Sequence, residues 1–496
     1  MRIQRRGSIL RWVSIGFILF AVILLTLQLI TFSRARGTYP RWMEIAGVPV
    51  GGFDREQAAE RLLEAYNRPV ELIYNNGIIH MDPAVVGFQL NLESMLATAD
   101  LIRMGGPFWN EFWDSLWGNQ AAPEPVPLDA SYSETTLRSY LTDEIGARYD
   151  HPATPSRPQA GTVNFEPGTP GVSIDLDTAV FQIENALFSP LNRRVNLALE
   201  QSQPRRPSFQ NLEILLKQTL DLAGFDGVVS VYLLDLQTAQ EIHFVYRNRV
   251  DYPTWPDTAF SGMSIIKIPI MVSAYRHIGE NPSPEALKLL GEMIELSGND
   301  PADWLMEQFI DPIRGPLVVT EDMSKLGLES TFLAQLFRPT SSPLAFIRTP
   351  ANSRTDINTN PDPVNQTTTS DIGMLLADIY QCATYGGGSL LAVFPDEITQ
   401  QECQDMIATL DRNQYPNLLE AGAPDGIRIA HKHGFGYDNF GTNKTIGDAG
   451  IVYTPSGNYI LVIYFDHPIQ LIWDPTSTLF ANLAKAIYNY YNIPTS

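Results

Sequence analysis

Residues 449–491 read AGIVYTPSGNYILVIYFDHPIQLIWDPTSTLFANLAKAIYNYY, and their pattern decides the fold. Ala449 to Thr454 and Tyr459 to Phe465 are alternating β-branched and aromatic runs joined at Pro455-Ser456-Gly457, which predicts an antiparallel hairpin. From Thr476 to Tyr491 the apolar residues return at helical spacing, so a helix closes the chain. Upstream, Leu212 to Ala223 predicts a helix and Val228 to Tyr246 a second hairpin, with helices and polar loops between the two hairpins. Helix, hairpin, helical insert, hairpin, helix is the order of an α+β domain, an antiparallel sheet flanked by terminal helices and interrupted by an all-helical region.

That domain is expected over residues 209–496, after the linker QSQPRRPS at 201–208. The whole chain of 496 residues, 44% apolar, is long enough for about two to four domains and too apolar for a disordered tail. Its two cysteines exclude a disulfide-built miniprotein. Cys382 and Cys403 flank the turn Gly386-Gly387-Gly388 and pair if the chain is exported, restraining a loop worth ~3 kcal/mol; free buried thiols are the alternative. The formal charge of -21, with only seven lysines and no basic stripe, argues against a nucleic-acid partner.

At the other end, Trp12 to Phe32 are 21 residues without a charge, behind Arg2, Arg5, Arg6 and Arg11. A helix of this length rises ~30 Å, the thickness of a hydrocarbon layer. The run exceeds a usual signal-peptide core, and FSRARG after it lacks a small-x-small cleavage site, so an uncleaved transmembrane helix at 12–32 is expected, with a cleaved signal or a buried core helix as the alternatives. Arg34, Arg36 and Arg41 beyond the span weaken the charge contrast, and the free amino terminus tips residues 1–11 to the cytoplasm. The chain is then single-pass in the cell membrane, with everything after residue 40 extracytoplasmic. From Gly37 onward, 55 acidic residues face 28 basic ones, which suits a soluble ectodomain.

Between the span and the linker, Gly87-Phe88-Gln89-Leu90-Asn91-Leu92-Glu93 and Gly171-Val172-Ser173-Ile174-Asp175-Leu176-Asp177 match in polarity 84 positions apart. Two copies of one small α+β unit follow, at 43–118 and 130–200. Each resembles the small peptidoglycan-binding-like domain found beside VanW-type and transpeptidase-type domains in bacterial envelope proteins, which implies cell-wall binding; a spacer is the alternative. Trp109, Trp113 and Trp117 lie four apart on one helix face, where burial between the copies is expected and stacking on sugar rings is the other outcome.

Chemistry concentrates in three segments of the last domain. Ala259-Phe260-Ser261-Gly262-Met263 leads into Ser264-Ile265-Ile266-Lys267. A serine and a lysine three apart on a helix share a face, and apolar flanks desolvate the amine so that it can take the hydroxyl proton. Pro269 is tolerated in the first turns of that helix. Ser297-Gly298-Asn299 and Lys432-His433-Gly434 follow in order. Together, SxxK, SxN and KxG resemble the class A β-lactamases and related penicillin-recognising D-alanyl-D-alanine peptidases, over about Phe225 to Tyr491. The resemblance implies Ser264 as nucleophile, Lys267 as general base, Ser297 as proton shuttle, Asn299 as a ligand of the substrate amide and Lys432 as holder of the substrate carboxylate. It also implies an oxyanion hole from the amides of Ser264 and Phe435, with Gly434 keeping the strand edge clear.

Two departures matter. His433 replaces the hydroxyl residue of the third motif, a substrate donor or a packed ring; regular alternation puts His431 on its side of the strand and Lys432 on the other. Thr331 to Thr369 contains no glutamate to activate a deacylating water, only Asp356 and Asp362, although Asn365-Gln366-Thr367-Thr368-Thr369-Ser370-Asp371 reads as a capped helix start. No compact metal-ligand spacing or phosphate-cradling glycine motif is present, so neither metal nor cofactor is expected. The expected function is a membrane-anchored serine hydrolase that acylates Ser264 with a β-lactam or a cell-wall stem peptide. The alternative is a catalytically degenerate cell-wall-binding or β-lactam-sensing protein.

Overall fold

The computed structural model describes residues 6–119, 124–279, 281–413 and 415–493; Arg2 and Arg5 of the N-terminal flank lie outside them. It divides into two compact units, residues 1–153 with 170–203, and residues 154–169 with 204–496.

The first unit opens with α1 (Arg6–Ala35), whose Arg11–Ala35 part is unburied and is long and apolar enough to cross a membrane. There follow α2 (Arg55–Tyr66), the hairpin β1 (Val70–Tyr74) and β2 (Gly77–Met81), β3 (Gln89–Leu90), α3 (Leu92–Arg103) and α4 (Phe108–Trp117). The second half of the unit carries β4 (Ala130–Ser131), α5 (Glu134–Ser139), β5 (Gly171–Ile174), α6 (Leu176–Leu187), β6 (Arg194–Asn196) and β7 (Leu199–Ser202). The two matched heptads fold alike. β3 and β5 each run into a helix capped by an Asx side chain, Asn91 accepting from Ser94 N at 3.3 Å and Asp175 from Thr178 N at 3.1 Å.

The stretches 43–118 and 130–200 nevertheless share one core. β6 pairs parallel with β1 and β3 pairs with β4, while Leu62, Leu72 and Leu96 are buried together with Leu137, Ile174 and Ile183. Strands of two to five residues bury too little surface to fold alone, and interlocking removes that deficit. Residues 154–169, expected in the second copy, belong instead to the C-terminal unit, where Phe165 packs on Tyr490 and Asn489 donates to Val163 O at 2.9 Å. Trp109, Trp113 and Trp117 do share a face of α4, but they are 60%, 45% and 74% exposed rather than buried; Phe112 takes the inward place.

The second unit is the α+β domain expected. α7 (Phe209–Ala223), capped by Ser208 and ended by Gly224 in a left-handed conformation, precedes β8 (Val228–Asp235), β9 (Glu241–Arg247) and β10 (Val250–Tyr252). The helical region holds β11 (Phe260–Ser261), α8 (Lys267–Ile278), α9 (Pro284–Ile294), α10 (Asn299–Leu305), α11 (Gly315–Lys325), β12 (Phe332–Leu333), β13 (Asn365–Thr367), α12 (Thr369–Tyr385) and α13 (Gln400–Leu410). The chain returns through β14 (Ile429–Tyr437), β15 (Asn443–Val452) and β16 (Tyr459–Asp466) and closes with α14 (Trp473–Tyr491).

Six antiparallel strands lie in the order β10-β9-β8-β16-β15-β14, so β14 is an edge. One face of the sheet packs on α7 and α14 through Leu216, Phe480 and Ile487, and the other on the helical region through Ile265, Met271 and Leu376. Cys382 of α12 and Cys403 of α13 are disulfide-bonded, their Cα atoms 5.9 Å apart.

Candidate active site

β11 pairs with β13, Gly262 N donates to Asn365 O at 2.9 Å, and the Asn365 amide donates to Met263 O at 3.1 Å. These bonds pin a tight turn in which Ile265 N donates to Gly262 O at 3.0 Å and Lys267 N to Ser264 O at 3.3 Å. Ser264 therefore sits in an i to i+3 turn ahead of α8, not on the helix itself, and that geometry stacks the side chains of residues three apart. Pro269 falls in the first turn of α8, where its missing amide has no partner to lose. Met263 and Ser297 both hold left-handed backbone, φ 52° and 57°, a conformation costly for side chains of this kind. Each adjoins or forms part of the predicted site.

The turn and the start of α10 converge on one amine. Lys267 Nζ lies 3.1 Å from Ser264 Oγ, 2.7 Å from Ser297 O, 3.4 Å from Ser297 Oγ and 2.8 Å from Asn299 Oδ1. Lys267 is fully buried, while Ser264 and Ser297 keep partial exposure. Burial first, then the charge of Lys432, lowers the Lys267 pKa to about 7, against a weaker opposing pull from Asp303. At neutral pH much of the amine thus has a free lone pair within hydrogen-bond reach of the serine hydroxyl.

β14 supplies the third side. A Cβ built on Gly434 would stand 2.9 Å from Met263 Cβ and 3.1 Å from Ser264 N, so glycine lets the strand edge close on the serine amide. Gly447, its partner across β15, is crowded by Ile265 and Tyr464 in the same way. A glycine inside a strand pattern was the signal available for that second position. Lys432 is fully buried and donates to His433 O at 3.1 Å; burial lowers its pKa to about 7, with Asp448 pulling the other way.

The strand alternates as expected, with Lys432 and Gly434 on one face and His431 and His433 on the other, where both rings reach the Asn413 amide, at 3.4 and 3.2 Å. His433 stacks on Tyr415, ring centroids 4.2 Å apart, and burial, then Lys432, push its pKa down to about 3. Neutral and packed, it adds no second cation to the site. His431 is the charged ring: burial works against it, but Asp448 at 2.9 Å and Glu420 at 3.3 Å raise its pKa to about 9. Phe435 packs its ring on Tyr415 and Trp473.

The loop between β12 and β13 brings Phe337 to Lys267, the ring centroid 5.1 Å from Nζ. Asp303 of α10 fixes that loop by accepting from Phe337 N at 2.7 Å and Arg338 N at 2.9 Å. The loop's two acids are engaged elsewhere, Asp356 with Arg354 and Asp362 with Val364 N. Sequence reading missed Asn365, Asp303, Phe337 and Asp448, because their roles arise from contacts across tens of residues. Among the described residues, no group of three or more His, Cys, Asp or Glu side chains is placed to hold a metal ion.

No curated protein matches the chain. Residues 281–491 match the model of the beta-lactamase enzyme family, a span that begins beyond Ser264 and Lys267 and takes in Ser297, Asn299 and Lys432. Among solved structures, PBP-A is similar at 18% identity, covering 58% of this chain and 98% of its own with a TM-score of 0.40. A class A beta-lactamase from Bacteroides cellulosilyticus is similar at 18% identity, covering 57% and 98%, with a TM-score of 0.41. The C-terminal unit has a beta-lactamase-type fold, and residues 281–491 of it match the model of that family.

Proposed function

We propose that the chain is a membrane-anchored, extracytoplasmic acyl-transfer enzyme that opens a carboxylate-bearing amide, a β-lactam or a D-alanyl-ended cell-wall peptide, through an ester on Ser264. The observation that carries this is the desolvated Lys267 amine 3.1 Å from Ser264 Oγ. Lys267 takes the hydroxyl proton as Oγ bonds to the substrate carbonyl carbon. The developing oxyanion is held by the amides of Ser264 and Phe435, and the amide C–N bond breaks as the proton returns to the leaving nitrogen through Ser297. Lys432 holds the substrate carboxylate from the face it shares with Gly434. Water or an amine then releases the acyl group.

The sensing reading has one observation in its favour. The loop presents the Phe337 ring to Lys267 where a deacylating carboxylate would be useful, so the ester should persist. Loss of a general base typically slows a step by about 10²–10⁴-fold. Incubation with penicillin should give a one-to-one ester that outlives the mixing step by hours, whereas prompt release of penicilloate would refute the slow-deacylation part. D-alanine liberated from a D-alanyl-D-alanine peptide by the wild type, but not by Ser264→Ala, separates a peptidase from a sensor.

The anchor at residues 12–32 is supported by the unburied, apolar Arg11–Ala35 helix. Wall binding by the first unit would appear as co-sedimentation of the detergent-solubilised chain with insoluble peptidoglycan.

A further inference from the structure

The aromatic face of α4 stands open, with Trp109, Trp113 and Trp117 60%, 45% and 74% exposed, and no part of the proposed acyl transfer uses it. On α4, Phe108, Trp109, Phe112, Trp113, Leu116 and Trp117 fall on one half of the helix circumference, and Asn110, Glu111, Asp114 and Ser115 on the other. The inner edge of the apolar half packs on α1. Phe32 meets Phe108 at 5.5 Å and Phe112 at 5.6 Å between ring centroids, and Arg36 clamps the pair by an ion pair to Glu111 at 2.8 Å. The outer edge, Trp109, Trp113 and Trp117, is open, yet its rings run on from that cluster, Trp109 on Phe108 at 5.2 Å and Trp113 on Phe112 at 5.5 Å.

Phe32 is the last apolar residue of the uncharged run, followed by Ser33 and then by Arg34 and Arg36. It thus marks the level at which hydrocarbon gives way to headgroups, and α4 is fastened at that level. Indole rings favour this layer, apolar on the face and able to donate through N–H, and arginines beside them suit lipid phosphates.

We propose that α4 lies in the headgroup layer of the bilayer spanned by α1, with Trp109, Trp113 and Trp117 inserted as interfacial anchors. The occupant of the face is lipid. This rests on the anchor reading and adds a second contact, which fixes how the first unit stands on the membrane instead of leaving it to swing on one helix.

The test uses the full chain reconstituted into phosphatidylcholine vesicles whose acyl chains are brominated at shallow positions, reading quenching of tryptophan emission. The W109F/W113F/W117F variant should lose more than half of the quenched emission, and W12F, which removes a tryptophan at the opposite end of the span, should keep more than half. If the triple variant is quenched like the wild type, or W12F abolishes quenching while the chain still floats with vesicles, the anchor stands and α4 does not touch lipid. Cover of the three tryptophans by a second copy or by glycan keeps them from the bromines, so the triple variant is again quenched like the wild type, and the proposal is overturned. Failure of the chain to float with vesicles removes the anchor and this inference together.

Discussion

Among single residues, two lysines weakened as bases by burial serve in different ways. Lys267 must be neutral to act as a base, so the acid limb of kcat/KM should rise through about pH 7 as it loses its proton. Lys432 must be charged to hold a carboxylate, so the same profile should fall as it too deprotonates, at about 7. The predicted profile is a bell centred near neutrality. Replacing Lys432 with Arg, which stays charged, should flatten the alkaline limb while leaving the acid limb in place; a profile unchanged by that substitution would remove Lys432 from the role. Lys267→Met should slow acylation by about 10²–10⁴-fold, the usual worth of a general base, measured as the rate of ester formation by stopped mixing and mass analysis. His433, held neutral well below the assay range, should give no inflection of its own.

At the scale of the element, β14 is positioned by what lies on each of its faces. On the Ser264 side, Gly434→Ala would force a contact no real Cβ makes, push the edge away from the serine amide and weaken the oxyanion hole; acylation should fall about 100-fold, ~3 kcal/mol, with the thermal midpoint moving far less. On the other side, the ion pair of His431 and Asp448, both fully buried, ties β14 to β15. Replacing His431 with Ala leaves the buried Asp448 without its cation and with only the Leu419 amide beside it, at a cost of roughly 3–5 kcal/mol in denaturant unfolding. The folded-state pKa of His431 is raised, so this contribution is complete below pH 6.5 and is lost as pH rises through about 9. The gap between wild type and variant should narrow over that window. Reducing the Cys382–Cys403 bond should lower stability by ~3 kcal/mol without affecting ester formation, because it joins α12 to α13 and touches no residue around Ser264.

Elements built on periodicity were legible in the sequence. The expected strand at Tyr459 to Phe465 is β16, the helix from Thr476 gains three residues in α14, and the Thr-rich segment is the Thr368-capped start of α12. What failed was decided by packing at a distance. Nothing local in residues 154–169 announces that Phe165 will meet Tyr490, and tryptophans at helical spacing look the same whether a protein core or another apolar medium is to cover them. SxxK spacing points to a helix for Ser264, whereas Asn365, about a hundred positions away, holds it in the turn before α8.

For the whole molecule, the fold of the second unit brings together three short segments that the chain keeps far apart. β14 reaches Ser264 only because β11 and β13 hold the turn and because the sheet ends at that strand. This convergence should make Ser264 the acylated residue. Penicillin-treated wild type, Ser264→Ala and Ser297→Ala chains, digested and mapped by mass spectrometry, test it most directly. One adduct is expected, on the peptide containing Ser264, absent from Ser264→Ala and formed more slowly by Ser297→Ala; an adduct on any other residue, or one that survives in Ser264→Ala, would show that Ser264 is not the nucleophile.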